Sequence, residues 1–135
     1  MLYGKEHVKA YRETDGQRGH EWQPGIFTLL LTTTGRRSGE QYTTPLIYGQ
    51  NGSDYVIVAS KGGEDEHPDW YLNLQERPDV RIQVAGRVMD AKAHTASDDE
   101  RSRLWPMMAE IWPDYDQYAT KTDREIPVVV LTPQS

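Results

Sequence analysis

From residue 26 onward, apolar and polar positions alternate with a period of two and β-branched and aromatic residues accumulate, the pattern of half-buried strands. It predicts strands over 26–33 and 41–48, and Asn51-Gly52 predicts a hairpin into a third over 55–60. Strands joined this way form an antiparallel meander. Pro45 has no N–H to give a ladder, so the second strand belongs at an edge or a bulge. Strands over 80–84 and 88–93 flank a turn at Ala85-Gly86-Arg87, and a valine-rich sixth covers 126–131.

Helical spacing interrupts this pattern. Val8 and Tyr11 lie on a short helix over 5–13, which Thr14-Asp15-Gly16 stops, and 16–25 reads as a polar, glycine-rich loop. A second helix covers 67–74, with Pro68 in its first turn, Asp69 at its positive dipole end and Arg77-Pro78 closing it. The longest opens at Asp98-Asp99-Glu100, carries Leu104, Met108 and Ile111 on one face and ends at Trp112-Pro113. Pro106 inside it either shifts its start or kinks it. Six short strands with two or three inserted helices predict a mainly β, α+β fold, a small antiparallel barrel. A parallel sheet would need a helix between nearly all consecutive strands.

The 135 residues are expected to form one domain, with an N-terminal helix and loop over 1–25 and the barrel core over 26–133. The absence of cysteine excludes disulfides and thiolate metal sites. His7, His20 and Trp22 lack ligand-like spacing, so no metal site is expected. Residues 1–12 are charged throughout, nothing resembles a signal peptide, and no apolar run reaches spanning length, which makes a cytoplasmic protein the expectation. A net charge of −6 argues against general nucleic-acid binding, which needs a basic face. In so acidic a chain, cations grouped at glycine turns carry information.

Two such turns occur. Thr32-Thr33-Thr34-Gly35-Arg36-Arg37-Ser38-Gly39 joins the first two strands, and Ala59-Ser60-Lys61-Gly62-Gly63 follows the third. Glycines that admit left-handed dihedrals can turn N–H groups to one side, and Arg36, Arg37 and Lys61 place positive charge beside them, a recipe for binding anions. Neither turn is a phosphate-binding Gly-x-x-x-x-Gly-Lys loop, and Ser38 and Ser60 lack a nucleophile elbow, so hydrolytic catalysis is not indicated. Trp70 and Tyr71 follow the second turn. Tyr115 and Tyr118 share a face if their segment is helical. Basic turns plus aromatic walls suit a flat ring bearing a phosphate tail, while Trp105 and Trp112 are expected to anchor the core.

These motifs, together with Thr44-Pro45-Leu46, His67-Pro68-Asp69-Trp70-Tyr71-Leu72-Asn73-Leu74 and Thr122-Asp123-Arg124-Glu125-Ile126-Pro127, resemble the deazaflavin-dependent nitroreductases of actinobacteria. The resemblance implies a split β-barrel of the FMN-binding-like kind that uses coenzyme F420. It implies that Arg36, Arg37, Ser38 and Gly39 hold the phosphate and tail carboxylates, and that Pro45, Ala59, Ser60, Lys61, Gly62 and Trp70 border the ring and phosphate. Tyr115, Tyr118 and Lys121 fall on the acceptor side, with Tyr118, or a water it orders, as the proton source. Two positions depart from the pattern. Tyr42 replaces a basic residue found in many members, and Lys121 replaces an aromatic one in the nitroimidazole-activating enzyme.

The implied reaction passes hydride from reduced F420 to an electron-poor acceptor such as a quinone, nitro compound or activated enone. An FMN-dependent split-barrel oxidoreductase and a non-catalytic carrier of F420 or another anion are the alternatives. A monomer or homodimer, with peripheral contact at the inner membrane face left open, completes the expectation.

Overall fold

Strand β2 (Ile26–Thr34) carries the sheet, because it is paired along both edges. On one side lies β3 (Gln41–Ile47), and on the other lie β1 (Glu21–Gln23) and β6 (Asp79–Val84). The computed structural model describes residues 2–134. After β6 the antiparallel order runs through β7 (Arg87–Thr95), β8 (Val128–Pro133), β5 (Asp54–Val58) and β4 (Gly49–Asn51). Since β3 and β4 are one chain segment broken only at Tyr48, the order returns on itself and the sheet curls into a split barrel. The α-helices α1 (Gly4–Glu13), α2 (Asp69–Glu76), α3 (Asp98–Ile111) and α4 (Asp114–Thr120) flank it.

This closure corrects the expected meander. The strand expected over 41–48 pairs with β2, but its continuation beyond Tyr48 turns away to pair with β5, and β3 has no ladder with β5. Pro45 opposes Leu30 of β2 in this strand, whose other edge is unpaired, so its missing N–H costs no ladder bond. Among the described residues, eight strands and four α-helices replace the expected six and two or three. The additions, β1, β4 and α4, have three, three and seven residues, too few to show a period.

Two apolar clusters sit on opposite faces of the β5–β8 ladder. Ile57, Val129 and Leu131 join Leu29, Leu31 and Ile82 and meet Trp70, Tyr71 and Leu74 of α2. The alternate residues Val56, Val58, Val128 and Val130 meet Leu104 and Met108 of α3 and Tyr115 of α4. A strand buried on both faces loses its polar alternation, which explains the uninterrupted valines. Helix α3 starts at a capping box: Ser97 Oγ accepts from Glu100 N at 3.2 Å, and Glu100 Oε1 accepts from Ser97 N at 2.9 Å. The start therefore stays at Asp98, and Pro106 is accommodated inside the helix.

Helix α1 is tied to the sheet by the fully buried Tyr11. Its hydroxyl donates to Thr28 O at 2.9 Å and accepts from Ala85 N at 2.8 Å, fixing a β6–β7 turn whose Ala85 has a φ of 54°. Replacing Tyr11→Phe strands both backbone groups, so urea titration should show a stability loss of about 1–3 kcal/mol.

Candidate functional site

Beyond β5 the chain passes the buried Ala59 and enters a short 3-10 turn, where Lys61, Gly62 and Gly63 have φ values of 47°, 64° and 83°. Three consecutive left-handed residues reverse the chain sharply, and Lys61 carries a strain of about 1–2 kcal/mol because it has a Cβ. The guanidinium of Arg124 holds the reversal. Its Nε donates to Glu64 O at 2.8 Å, Nη1 to Ala59 O at 3.3 Å and Nη2 to Ser60 O at 2.8 Å. Helix α4 packs so closely that a Cβ on Gly63 would lie 2.7 Å from Tyr118 O.

The basic turn between β2 and β3 is closed by Gly35 N to Glu40 O at 2.7 Å and Gly39 N to Gly35 O at 3.0 Å. Gly39 is left-handed, with a φ of 73°, but Gly35 is not, contrary to expectation. Gly35 is required instead by space: a Cβ there would lie 2.6 Å from Ser38 Oγ and 2.8 Å from the Tyr42 ring. The Tyr42 hydroxyl sits 3.2 Å from Ser38 Oγ and donates to Glu40 Oε2 at 3.3 Å, so the residue braces the turn.

The two arginines of this turn are placed differently. Asn73 Oδ1 accepts from Arg36 N at 3.1 Å and from Arg36 Nη1 at 2.9 Å, and Arg36 Nη2 lies 3.5 Å from Asp69 Oδ1. Arg36 is thereby committed to α2. Arg37 is exposed, and its guanidinium, its N–H and the Ser38 N–H have no partner among the described residues. These are the donors an incoming anion would meet.

Two clefts meet at Trp70. The first, about 400 Å³, is lined by Pro45, Leu46 and Ile47 of β3 and by Ser60, Lys61 and Gly62, with Tyr115 and Tyr118 on the α4 side. Leu2, Tyr3, Trp22 and Trp112 also line it. Trp22 Nε1 donates to Leu2 O at 2.8 Å, and the Trp22 ring lies 5.8 Å from that of Trp112. The second cleft, about 710 Å³, contains Arg36, Arg37, Ser38, Tyr42, Thr44 and Asn73, with Lys5 reaching in from α1. An aromatic, mostly apolar cavity thus opens beside a cationic one, with a single indole as their shared wall.

Most residues singled out in the sequence fall on these clefts. Gly39, Ala59, Tyr71 and Lys121 do not: Gly39 closes the turn, Ala59 lies behind its loop, Tyr71 is buried in the core rather than on a cleft wall, and the Lys121 ammonium stacks 5.6 Å from the Tyr118 ring on the exposed side. Trp112 is half-buried: it packs against the second core cluster, as expected, and also forms part of the cavity wall. Trp105 caps the α3–α4 junction, its Nε1 donating to Asp116 Oδ1 at 2.8 Å and its ring 4.6 Å from the Arg101 guanidinium. Trp22, Leu2, Lys5 and Asn73 were not flagged by the sequence. Trp22 offered a signal, being a large aromatic in a polar loop.

Protonation follows burial. Desolvation, followed by the neighbouring Tyr118, raises the Tyr115 phenol well above its usual range, so it stays a neutral donor. Burial and then Arg124 lower His67, whose Nδ1 lies 3.1 Å from Arg124 Nη1 and accepts from it when neutral. Among the described residues no cluster of three or more His, Cys, Asp or Glu side chains is placed to hold a metal ion.

A protein-family model described as F420H(2)-dependent quinone reductase matches residues 3–133. An F420H(2)-dependent quinone reductase of Mycobacterium tuberculosis is 42% identical over 129 residues, covering 93% of this chain and 87% of that protein. Among solved structures, an F420-H2 dependent reductase, FDR-A, superposes with a TM-score of 0.72 at 40% identity, over 77% of this chain and 92% of its own. A domain-swapped dimer superposes with a TM-score of 0.75 at 36% identity, over 94% and 95%.

Gly63→Ala should lower the unfolding free energy by about 1–3 kcal/mol in a urea titration, from left-handed strain and displacement of α4. His67 has a second consequence. Its folded-state pKa is depressed, so the unfolded chain binds its proton first as pH falls. The stability contribution is complete above about 6.5 and is lost as pH drops through the folded value. Melting temperatures taken from pH 7.5 to 5 should therefore fall less steeply in His67→Gln than in the unmodified protein.

Proposed function

The chain belongs to the F420H(2)-dependent quinone reductase family, and from that premise we propose how its residues divide the binding and proton-transfer work. It is an oxidoreductase, its cofactor is coenzyme F420, and its acceptor is of the quinone type. When bound, the cofactor supplies the hydride. What supports the residue assignment is one juxtaposition: unpartnered cationic and N–H donors at Arg37 and Ser38 adjoin an aromatic cavity across Trp70. The donor set fits the group. Phosphate and carboxylate oxygens suit a guanidinium fork and backbone N–H groups, and a flat heterocycle suits the faces of Trp70 and Pro45.

In this reading Arg37 and Ser38 hold the phosphate and tail carboxylates, with Lys5 adding charge, and Arg36 shapes the turn that presents them. Ser60, Lys61 and Gly62 face the ring and phosphate. Trp22, Trp112 and Leu46 exclude water from the acceptor. The Tyr118 hydroxyl, or a water it orders, supplies the proton, while the neutral Tyr115 phenol hydrogen-bonds the acceptor oxygen. Lys121 acts on the acceptor only through Tyr118. No helix among the described residues is long and apolar enough to cross a membrane. We place the protein in the cytoplasm, as a monomer or homodimer without a nucleic-acid partner, and the charge of −6 supports the last point.

Purified protein should bind F420 at micromolar concentration, and F420H2 absorbance should decay when menadione is added. Absence of binding would sink the reading, and binding without turnover across quinones would favour a carrier. Arg37→Ala and Lys61→Ala should each weaken cofactor binding by about 1.5–3 kcal/mol, with the exposed Arg37 towards the lower end. Dissociation constants unchanged in both would return the two turns to ordinary solvated loops.

A further inference from the structure

We propose that Arg124 is a positioning residue for this reductase, fixing the strained loop so that Ser60 and Lys61 present their backbone N–H groups to an anionic ligand. The inference rests on the cofactor reading above. Arg124 lies outside both clefts, and its guanidinium is engaged on three carbonyls, of Ala59, Ser60 and Glu64, at 2.8–3.3 Å. A planar fork with five N–H groups can span acceptors on both limbs of a chain reversal, which an ammonium cannot do with the same geometry.

The consequence follows from peptide stereochemistry. In a trans peptide the C=O and the next N–H point in opposite directions, and no peptide bond among the described residues is cis. With the carbonyls of Ala59 and Ser60 turned to Arg124, the N–H groups of Ser60 and Lys61 point away from it. Neither has a partner among the described residues. Ser60 and Lys61 also line the aromatic cleft. The half-buried Arg124 guanidinium thus orients two neutral donors on the far side of the loop. It also holds Lys61 at a φ of 47°, a conformation that persists only when its surroundings over-determine it. His67 completes the grip, its ring 4.9 Å from Tyr71 and its Nδ1 facing Arg124.

The test measures F420 affinity by fluorescence titration, with thermal melts alongside, for the unmodified protein, Arg124→Ala, Arg124→Lys and Lys61→Ala. Arg124→Ala should raise the dissociation constant about tenfold, the loss of about one charge-assisted bond, with a cooperative melt retained. Arg124→Lys should fall between it and the unmodified protein. Millimolar guanidinium should restore part of the affinity of Arg124→Ala and none of that of Lys61→Ala. Affinity within twofold of the unmodified protein in both Arg124 variants overturns the inference. So does weakened binding that guanidinium leaves unchanged, which marks a general loss of fold. Should Arg124→Ala not melt cooperatively, Arg124→Lys decides on the same twofold criterion. If the unmodified protein fails to bind F420, the functional reading falls and this inference with it. Binding that is intact there and equal in the variants overturns the inference alone.

Discussion

Asn73 is buried, and a buried amide must find partners at both of its ends. Its carbonyl accepts twice from Arg36, and its NH2 group reaches Thr33 Oγ1 at 3.3 Å. Helix α2 is thereby pinned to the end of β2 and to the turn beyond it. Trp70 stands one turn earlier on the same face of α2, so the bonds that satisfy Asn73 also set the indole where the two clefts join. Without that pin, the cationic turn and the aromatic cavity would be separate features.

The glycine turns are secured by opposite means. An amide oxygen on α2 gathers the donors of the first, and a guanidinium gathers the carbonyls of the second. In each case the protein satisfies one side of the turn internally and leaves unpartnered donors on the other. Division of labour between adjacent arginines follows, since Arg36 is held by Asn73 and Asp69 while Arg37 stays exposed. In a chain with a net charge of −6, exposed cations beside such donors concentrate favourable potential where an anionic ligand would enter.

Barrel closure has a comparably simple cause. A strand that begins on β2 and ends on β5 has to bend, and it does so at Tyr48, whose ring packs 5.5 Å from Tyr55. Gly49 follows because α3 lies directly over it: a Cβ there would approach Met108 Sδ to 2.8 Å. The same bend leaves Pro45 on an edge that faces the first cleft. Architecture and site are therefore consequences of one segment, residues 41–51.

The sequence by itself determined the strands long enough to show a period, α1 to α3, the two glycine-rich basic turns and, through several motifs in order, the cofactor. Those signals are local, arising from side-chain periodicity, turn chemistry and charge within short windows. It could not separate Arg36 from Arg37, which stand side by side in the same turn, nor assign Arg124 beyond its motif. Their partners lie 33 and 37 residues away for Arg36 (Asp69 and Asn73) and 57 to 65 for Arg124. Tertiary structure alone decided which donors are consumed and which are left over. It also brought Trp22 and Trp112 from opposite ends of the chain into one cavity wall. Hydrogen-bond satisfaction and burial are properties of what the fold places alongside a residue, and no local pattern records them.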